Sequence, residues 1–530
     1  MWGWLVLKHK HNNKYTLFLC QDWINCQKIL FLYNKKYLYN RENNNKYTMS
    51  IKNLEPRLVW EQFDAITQVP RPSKKEEKII EYLVNFAITH GIEYQKDSIG
   101  NVVMRKPATA GYQDRPCVIL QSHMDMVCEK LPEVDFNFEN EPIRTKITDG
   151  WVMAEGTTLG ADCGIGMAAA LALMLDSEAE HGPIEALFTV DEETGLTGAF
   201  NLGEGMLNGK YLVNLDSEDE GEIFIGCAGG VDTLAYFNVE NEPSPEGYDY
   251  YRLNISGLMG GHSGDDINKG RANSNKLMAR ILLEAQEDYK ACVSYMDGGN
   301  LRNAIPRDAY AIFGVEQASS DKFEQRFAEW ATEVKAEFGI TEPQMQLELT
   351  SEPKPEKVLK AECQQNLLQA LVGVANGVIE MSKAVEGLVE TSTNLASVKF
   401  NGANQIVVTT SQRSSVESAK LYAKKMVEST FLLAGAEVKH SDGYPGWAPN
   451  PNSELLRHTV ECYQDLFGTE PKVKAVHAGL ECGLFLEKYP DLEMVSFGPT
   501  LQGVHSPEER LEIATVDKFW ILLKELLKRV

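Results

Sequence analysis

Three apolar runs in the first half of the chain each lead to ionisable side chains. The runs and the side chains after them are Val118–Ser122 with His123 and Asp125, Ile184–Val190 with Glu192 and Glu193, and Tyr211–Leu215 with Asp216. Strands separated by helices bring the side chains at their C-terminal ends to one edge of a sheet. The pattern therefore predicts an α/β enzyme whose site lies along that edge.

Two more candidates come from other parts of the sequence. Asp162 precedes the alanine-rich stretch Gly164–Leu175, which is apolar on nearly all sides and predicts a buried helix rather than an amphipathic one. Near the C-terminal end, the short apolar run Met494–Phe497 leads to His505. We therefore add Asp162 and His505 to the candidate site.

The composition excludes several classes of partner. The net charge is −24 and the pI is near 5.0, which argues against nucleic acid and against an anionic membrane surface. The longest apolar stretches have the length of strands, so no transmembrane helix is predicted. Ten cysteines without a C-x-x-C pair are typical of reduced thiols, and we predict a cytoplasmic protein.

A chain of 530 residues predicts two or more domains. Residues 1–48 carry seven lysines and one arginine against two acids, and we interpret them as an upstream reading artefact or a disordered leader. After residue 230 strand-helix-strand alternation occurs twice, which indicates a duplicated α+β domain inserted into the first one. The predicted boundaries are 49–230 and 444–530 for the catalytic domain and 231–443 for the inserted domain.

The candidate side chains suit a pair of metal ions. Imidazoles and carboxylates without thiolates bind borderline divalent ions such as zinc, cobalt or manganese. Two divalent ions would be neutralised by Asp162, Glu193 and Asp216 together with one hydroxide, which a partly buried site tolerates. Asp125 is placed to accept the second N–H of His123 and thereby to fix the tautomer of that ligand.

The adjacent Glu192 and Glu193 allow a division of roles. Neighbouring residues of an extended chain project to opposite sides, so one carboxylate can bind metal while the other faces the substrate. A general base needs a pKa near neutrality, which partial burial and nearby acids supply. We predict that this base acts on water activated by two ions about 3.5–4 Å apart.

The motifs resemble those of a known family. In order, they are His123-Met124-Asp125, Gly160-Ala161-Asp162, Glu192-Glu193, Asp216 and His505. This set is similar to that of the co-catalytic zinc exopeptidases, which include aminoacylases, carboxypeptidase G and carnosinases, from about Met49 to the C-terminal end. Four longer strings resemble one branch, the bacterial aminoacyl-histidine (Xaa-His) dipeptidases: Thr157–Asp162, Gly226–Gly230, Arg302–Arg307 and His477–Gly483.

The resemblance implies a fold, an assembly and a set of ligands. The fold is a mixed sheet flanked by helices with an inserted, duplicated α+β lid domain, and the assembly is a homodimer. Asp162 would bridge two divalent ions, most commonly zinc, and Glu192 would be the general base. The remaining implied ligands are His123 and Asp216 for one ion, and Glu193 and His505 for the other.

The resemblance also implies contacts between the lid and the substrate. In such enzymes a lid histidine reaches the substrate carbonyl, often across the dimer, and His262 fits that motif. Arg413 follows a lid strand, where relatives bind the substrate carboxylate. Asn303 and Asn394 occupy similar positions in the two lid halves, and the sequence leaves open which of them, if either, contacts substrate.

The function implied is a metal-dependent dipeptidase that hydrolyses Xaa-His and related unblocked dipeptides. The alternatives are an aminoacylase, a tripeptidase or a carboxypeptidase of the same superfamily, or a non-catalytic metal-binding relative. The intact Glu192-Glu193 pair argues against the last, because a metal-binding protein has no use for the spare carboxylate. One departure is Cys163, which follows Asp162 where relatives carry Asn or Asp; a thiol so near the ions would compete as a soft ligand.

Overall fold

The computed structural model describes residues 3–8, 15–20, 50–402 and 404–530. Strands Gly3–Lys8 and Tyr15–Cys20 pair antiparallel with each other. The predicted leader comprises residues 1–48, and the remainder of it lies outside the described residues. Within the described ranges, every helix is too short or too polar to cross a membrane.

An eight-stranded mixed sheet is the centre of the first unit of the fold. Its strands, in order across the sheet, are Lys472–Val476, Glu222–Cys227, Glu493–Ser496, Tyr211–Asn214, Val118–His123, Ile184–Thr189, Val102–Lys106 and Glu93–Lys96. Four neighbours in the middle, beginning at residues 493, 211, 118 and 184, run parallel. Their C-terminal ends therefore meet at one edge of the sheet, as the apolar runs predict.

Helices flank this sheet. They are Arg57–Thr67, Glu77–His90, Ala161–Leu175, Glu192–Gly195, Thr197–Phe200, Glu454–Phe467, Cys482–Lys488 and Ile513–Arg529, with a 3₁₀ turn at Ile51–Asn53. Their ends follow ordinary capping rules. Ser453, for example, caps Glu454–Phe467 by accepting the N–H of Leu456, and Gly468 ends that helix at φ 69°. Helix Ala161–Leu175 is buried along almost its whole length, which confirms the buried helix predicted at Gly164–Leu175.

Short strands complete the description of the smaller sheets. One four-stranded sheet contains Leu501–Gln502, Arg510–Glu512, Trp151–Ala154 and Thr145–Thr148. Two pairs stand apart, Asn241–Pro243 with Lys357–Leu359, and Gly261–His262 with Ala304–Ile305. The four-stranded sheet matters for the site because the loop that carries His505 connects two of its strands.

A nine-stranded antiparallel sheet is the centre of the second unit, which we call the inserted unit. Its strands, in order, are Gln346–Ser351, Tyr248–Ser256, Ala309–Glu316, Cys292–Gly298, Val389–Phe400, Gln405–Ser414, Gly229–Asn238 and Glu437–His440, and Gly377–Met381 pairs with Val389–Phe400. Its helices are Ser274–Tyr289, Ser320–Phe338, Ala361–Gly373 and Glu417–Leu433, with a 3₁₀ turn at Gln317–Ser319. The unit is an insertion because the first sheet contains strands that come before it in the sequence and strands that come after it.

The inserted unit is built from two copies of one topology. Apart from two-residue strands and Gly377–Met381, each copy runs strand, helix, strand, strand, helix, strand, and in each these strands lie in the order last, first, third, second. One copy spans residues 248–351. The other begins with Gly229–Asn238 and continues only after the first copy, from helix Ala361–Gly373 to Glu437–His440. This arrangement confirms the predicted fold class, including the duplication that strand-helix alternation indicates.

Candidate active site

The structure brings the five predicted ligands together at the C-terminal edge of the first sheet. They lie at the end of strand Val118–His123 (His123), after Ile184–Thr189 (Glu193), after Tyr211–Asn214 (Asp216), at the start of helix Ala161–Leu175 (Asp162) and in the loop before Arg510–Glu512 (His505). Parallel strand ends account for three of them. The other two come from a helix start and a loop that close over the same edge.

Asp162 lies between two groups of side chains. Its Oδ1 is 3.1 Å from Nε2 of His123, and its Oδ2 is 3.1 Å from Nε2 of His505. His123 Nε2 is also 3.3 Å from Asp216 Oδ1, whereas His505 Nε2 is 3.0 Å from Glu193 Oε2. Two sets of three ligands therefore share Asp162, each through one of its oxygens.

The residues of this cluster fit a pair of divalent ions. Oε1 of Glu193 is buried and has no hydrogen-bond partner among the described residues, and a buried carboxylate oxygen is costly unless something pairs with it. Donors that share one ion at bond lengths of about 2.0–2.2 Å lie about 3 Å apart, as these nitrogen and oxygen atoms do. The donor set contains nitrogen and oxygen atoms, which suit zinc and similar ions.

The charges of the chain alone point the same way. Hydrogen bonds to Asp162 and Glu193 raise the pKa of His505 to about 11. Burial raises the pKa of Asp216 to about 6, and the neighbouring Asp162 adds to this rise. The carboxylates of this cluster repel one another unless protons or cations neutralise them, and divalent ions would supply that positive charge.

Asp125 connects one ligand to the candidate base. Its Oδ1 is 3.3 Å from Nδ1 of His123. Its two oxygens accept the backbone N–H groups of Glu192 at 3.0 Å and Glu193 at 3.2 Å, and Ser73 donates its hydroxyl at 2.8 Å. Although burial opposes it, the hydrogen bond with His123 helps to lower the pKa of Asp125. Asp125 is therefore an ionised residue that orients its neighbours.

The predicted extended conformation of Glu192-Glu193 is wrong. Asp191 has a left-handed backbone, with φ 48°, and Glu192 begins the short helix Glu192–Gly195. The physical reason lies in Asp125, which accepts both N–H groups. Successive N–H groups of an extended strand point to opposite sides, so the chain must turn here for one carboxylate to bind both.

Glu192 has the environment of a general base. It is half-buried and takes no part in the ligand contacts of Asp162. Burial raises its pKa well above the ordinary value, and the carboxylates of Asp216 and Glu481 add to this rise while His123 opposes it. A carboxylate with a raised pKa can accept a proton from water and return it.

Two buried charged residues that sequence reasoning missed hold the loops of the site. Glu509 accepts the N–H groups of Leu159 at 2.7 Å, Gly160 at 3.0 Å and Ala161 at 2.7 Å, and so ties the loop of His505 to the approach to Asp162. The guanidinium of Arg71 donates to the backbone carbonyls of Met124, Asp125 and Gly160. Neither residue belongs to a motif, and a lone acid or arginine in a loop gives no signal in a single sequence.

A third missed residue, Glu481, lies under the ligands. This buried carboxyl precedes helix Cys482–Lys488, and its Oε2 accepts from Gln121 Nε2 at 2.6 Å and Thr189 Oγ1 at 2.8 Å. Gln121 in turn accepts from Asn214 Nδ2 at 2.6 Å. Gln121 and Asn214 stand two residues before His123 and Asp216, on the same sheet face. Glu481 thus joins strands that carry the ligands and the base.

Replacement of Glu481 by alanine is expected to lower the free energy of unfolding by about 2–3 kcal/mol, since two buried donors lose their acceptor. Replacement by glutamine is expected to restore most of the lost free energy of unfolding, because the amide oxygen can accept the hydrogen bonds of Gln121 and Thr189. Burial raises the pKa of Glu481 from 4.5 to about 8, so the folded chain retains a proton that the unfolded chain releases. Its contribution to stability is present at acidic pH and is lost as pH rises from about 4.5 towards 8.

Urea unfolding of the metal-free protein at several pH values measures both effects. In Glu481→Gln, the free energy of unfolding is expected to decline less between pH 4.5 and about 8, because the amide does not titrate. An unchanged pH dependence in Glu481→Gln would contradict a protonated carboxyl at this position.

Cys163, the departure noted in the sequence, is buried beside the cluster. The peptide bond between Asp162 and Cys163 is cis. The thiol donates to the carbonyl of Leu215 at 3.2 Å, and burial raises the pKa of Cys163 well above the ordinary value. Its sulfur nevertheless lies within 4.8 Å of donor atoms of His123 and Asp216. A neutral thiol with a carbonyl partner is a weaker competitor for metal than the sequence alone predicts.

A cavity of about 670 Å³ borders the site and reaches the inserted unit. On one side it is lined by Thr194, which follows the Glu192-Glu193 pair, and on the other by Asn303 and Arg413. Arg413 is buried; it donates to the hydroxyl of Tyr444 at 3.2 Å, and its Nε has no hydrogen-bond partner in the part of the chain that the structure describes. A buried guanidinium with a free donor is suited to an anionic group of a ligand.

Of the other predicted lid residues, Asn394 and His262 lie elsewhere. The side chain of Asn394 is buried and donates to the backbone carbonyl of Ala304 at 2.8 Å, so it holds the segment that carries Asn303. His262 lies in a two-residue strand, and its Nδ1 is 3.2 Å from Asp265 Oδ2. Neither residue lines the cavity.

Comparison with known proteins defines the class. A model of the peptidase family M20/M25/M40 matches residues 119–529. The chain therefore belongs to this family of hydrolases that act on peptide bonds, which confirms the predicted enzyme class.

The relatives narrow the resemblance. The chain is 41% identical over 480 residues to the cytosol non-specific dipeptidase of Escherichia coli (strain K12), which covers 91% of this chain and 99% of that protein. A crystal structure of an aminoacylhistidine dipeptidase from Vibrio alginolyticus is 41% identical, with a TM-score of 0.86 over 91% of this chain and 98% of that one. A tripeptidase from Staphylococcus aureus, 15% identical with a TM-score of 0.51 over 90% of this chain and 98% of that one, shares the fold alone. The resemblance drawn from the motifs is confirmed.

Proposed function

We propose that this chain is a metal-dependent dipeptidase that hydrolyses unblocked dipeptides, including Xaa-His. The observation that carries the proposal is the position of Glu192 beside candidate ligands and two residues before Thr194, which lines the cavity that also contains the guanidinium of Arg413. The choice of dipeptides is supported by relatives named as dipeptidases that are 41% identical over nearly the whole of their length.

The roles of the residues follow from their contacts. The two ions would be held by Asp162 as the shared ligand, with His123 and Asp216 on one side and Glu193 and His505 on the other. When bound, such ions polarise a carbonyl group and lower the pKa of water. Glu192 accepts a proton from the attacking water and gives it to the leaving amine, which its raised pKa permits. Asp125 holds His123 and the backbone of Glu192 at a fixed separation.

The cavity residues bind and orient the substrate. Arg413 binds the C-terminal carboxylate through its guanidinium group, since this side chain lines the cavity. Asn303 lines the same cavity and contacts the peptide, whereas Asn394 positions the segment of Asn303. His262 reaches the substrate carbonyl from the inserted unit of a partner subunit.

Several finer features belong to the same proposal. We infer zinc as the metal, with cobalt or manganese as substitutes, from the nitrogen and oxygen donors.

A homodimer is supported by exposed apolar side chains on helix Glu417–Leu433, such as Tyr422 and Leu433, and analytical ultracentrifugation tests it. A cytoplasmic location is supported by the free thiols of the described chain. The boundaries 49–230, 231–443 and 444–530 are supported by the passage of the chain between the two sheets.

Hydrolysis of Ala-His by the full chain tests the proposal. Activity is expected to disappear when metal is removed with a chelator and to return when zinc is restored, because Glu192 alone does not activate water sufficiently. The matched control is the same chelator saturated with zinc beforehand. If the dipeptide survives while two ions bind per chain, the substrate class is wrong. Acylated amino acids and tripeptides then separate the remaining members of the superfamily.

A further inference from the structure

The cavity presents a second charged group on the same sheet face as Arg413. Strands Gly229–Asn238 and Gln405–Ser414 pair antiparallel, with Gly230 opposite Arg413 and Asp232 opposite Ser411. Residues two apart on a strand share a face, and directly opposite residues do so as well. Asp232 and Arg413 are therefore diagonal neighbours, with Cβ atoms about 7–8 Å apart or slightly less. Both line the cavity.

The carboxylate of Asp232 is held in place while its partner is free to leave. The backbone of Asp232 exchanges hydrogen bonds with Ser441, through the Ser441 hydroxyl at 3.0 Å and the Ser441 N–H at 3.0 Å. Oδ2 of Asp232 is 2.7 Å from Nη1 of Arg302. The side chain of Arg302 is 67% exposed, whereas that of Asp232 is 14% exposed. An exposed ion pair of this kind contributes little free energy because a long side chain must be ordered in water. A cation in the cavity can therefore replace Arg302.

The ion pair is not needed to hold the segment of Arg302. Asn394 donates to the carbonyls of Arg302 at 3.4 Å and Ala304 at 2.8 Å, and Ser263 donates its N–H to the carbonyl of Asn303 at 2.8 Å. These bonds fix the backbone at Arg302 and at the two residues that follow it. The ion pair with Asp232 is thus not required to fix this segment.

The spacing of the two charges fits an unblocked dipeptide. The ammonium nitrogen and the carboxylate carbon of a dipeptide lie about 5–6 Å apart by standard backbone geometry, which a diagonal pair on an antiparallel sheet can span. Tyr444 lies among the groups concerned, since it accepts from Arg413. Burial raises the pKa of Tyr444, and the charges of Asp232 and Glu192 contribute to this rise, so both carboxylates lie near the phenol.

We propose that Asp232 binds the α-ammonium group of the substrate, with Arg302 as its exchangeable partner, and that this contact selects dipeptides with a free N-terminus. The inference rests on the proposed function and adds a residue that determines specificity. An acylated substrate carries no ammonium group and leaves the Asp232 carboxylate without that contact. The contact between Asp232 and the ammonium group also distinguishes a dipeptidase from an aminoacylase, because an aminoacylase requires a blocked N-terminus.

The experiment compares Ala-His with N-acetyl-Ala-His in three variants. Asp232→Asn is expected to raise KM for Ala-His by about 10- to 100-fold, as loss of a charged hydrogen bond does, with little change in kcat. The preference for the free over the acetylated substrate is expected to fall by a similar factor. Arg302→Gln is expected to leave KM for Ala-His unchanged or to lower it, because the competing cation is gone.

Asp308→Asn is the matched control, since Asp308 also pairs with an exposed arginine, Arg307, at 3.6 Å but lies outside the cavity lining. A purely structural ion pair would make Asp232→Asn and Arg302→Gln raise KM alike, without change in the preference for the free substrate, and that result would overturn the proposal. So would an unchanged KM in Asp232→Asn. Failure of the wild-type enzyme on every dipeptide would instead refute the proposed function itself. Thermal melting of each variant checks that it is folded.

Discussion

Replacement of Glu192 by alanine is expected to lower kcat/KM for a dipeptide more than about a thousandfold. The half-buried carboxylate lies next to both ligand sets but takes no part in the contacts that define them, so metal binding is expected to persist. The loss would come from the missing proton acceptor. Steady-state kinetics combined with metal analysis of the purified protein measures both quantities.

Two further variants sharpen this test. Glu192→Gln keeps the size of the side chain and is expected to be as inactive as alanine, whereas Glu192→Asp keeps a carboxylate and is expected to be intermediate. Near-normal activity of the alanine variant would refute the assignment of the base. Loss of metal from the alanine variant would assign Glu192 to the ligands instead.

Replacement of Asp162 by alanine is expected to reduce bound metal from two ions to fewer than one per chain and to abolish measurable hydrolysis. Asp162 contacts both His123 and His505, each through a separate oxygen. Its loss removes a ligand from both sets at once and leaves the imidazoles of the two sides unconnected. Zinc titration by isothermal calorimetry, followed by activity assay, measures the effect.

Glu218 offers the matched control for a buried acid near the same cluster. Burial raises the pKa of Glu218 to about 8, and the charges of Asp162 and Asp216 add to this rise. Glu218 belongs to none of the groups of possible metal ligands among the described residues, and Glu218→Gln is therefore expected to retain both ions. If Glu218→Gln lost metal as Asp162→Ala does, the effect of Asp162 would be one of charge density rather than of ligation.

The cluster of candidate ligands could be predicted from the sequence because its members stand at positions that strand or helix patterns mark. His123, Glu193 and Asp216 follow apolar runs that the fold makes into neighbouring parallel strands. Asp162 precedes an apolar helix. Their convergence needs no knowledge of side-chain contacts, because topology alone brings parallel strand ends to one edge.

The residues that support the ligands could not be found in this way. Glu509 bonds to Ala161, 348 residues earlier in the chain, and Glu481 bonds to Gln121, 360 residues earlier. Pairings of this kind depend on tertiary geometry, which hydrophobic periodicity does not encode. The turn at Glu192 was missed for the same reason, since it follows from two hydrogen bonds to the distant Asp125.

The interrupted duplication of the inserted unit has a consequence for synthesis. The copy formed by residues 248–351 is continuous, so it is complete as soon as its last strand leaves the ribosome. Strand Gly229–Asn238, by contrast, waits for Gln405–Ser414, and Tyr211–Asn214 waits for Glu493–Ser496. Non-local pairings of this kind form late because long loops must close first. The candidate ligands are therefore all present only when the loop that carries His505 has been made.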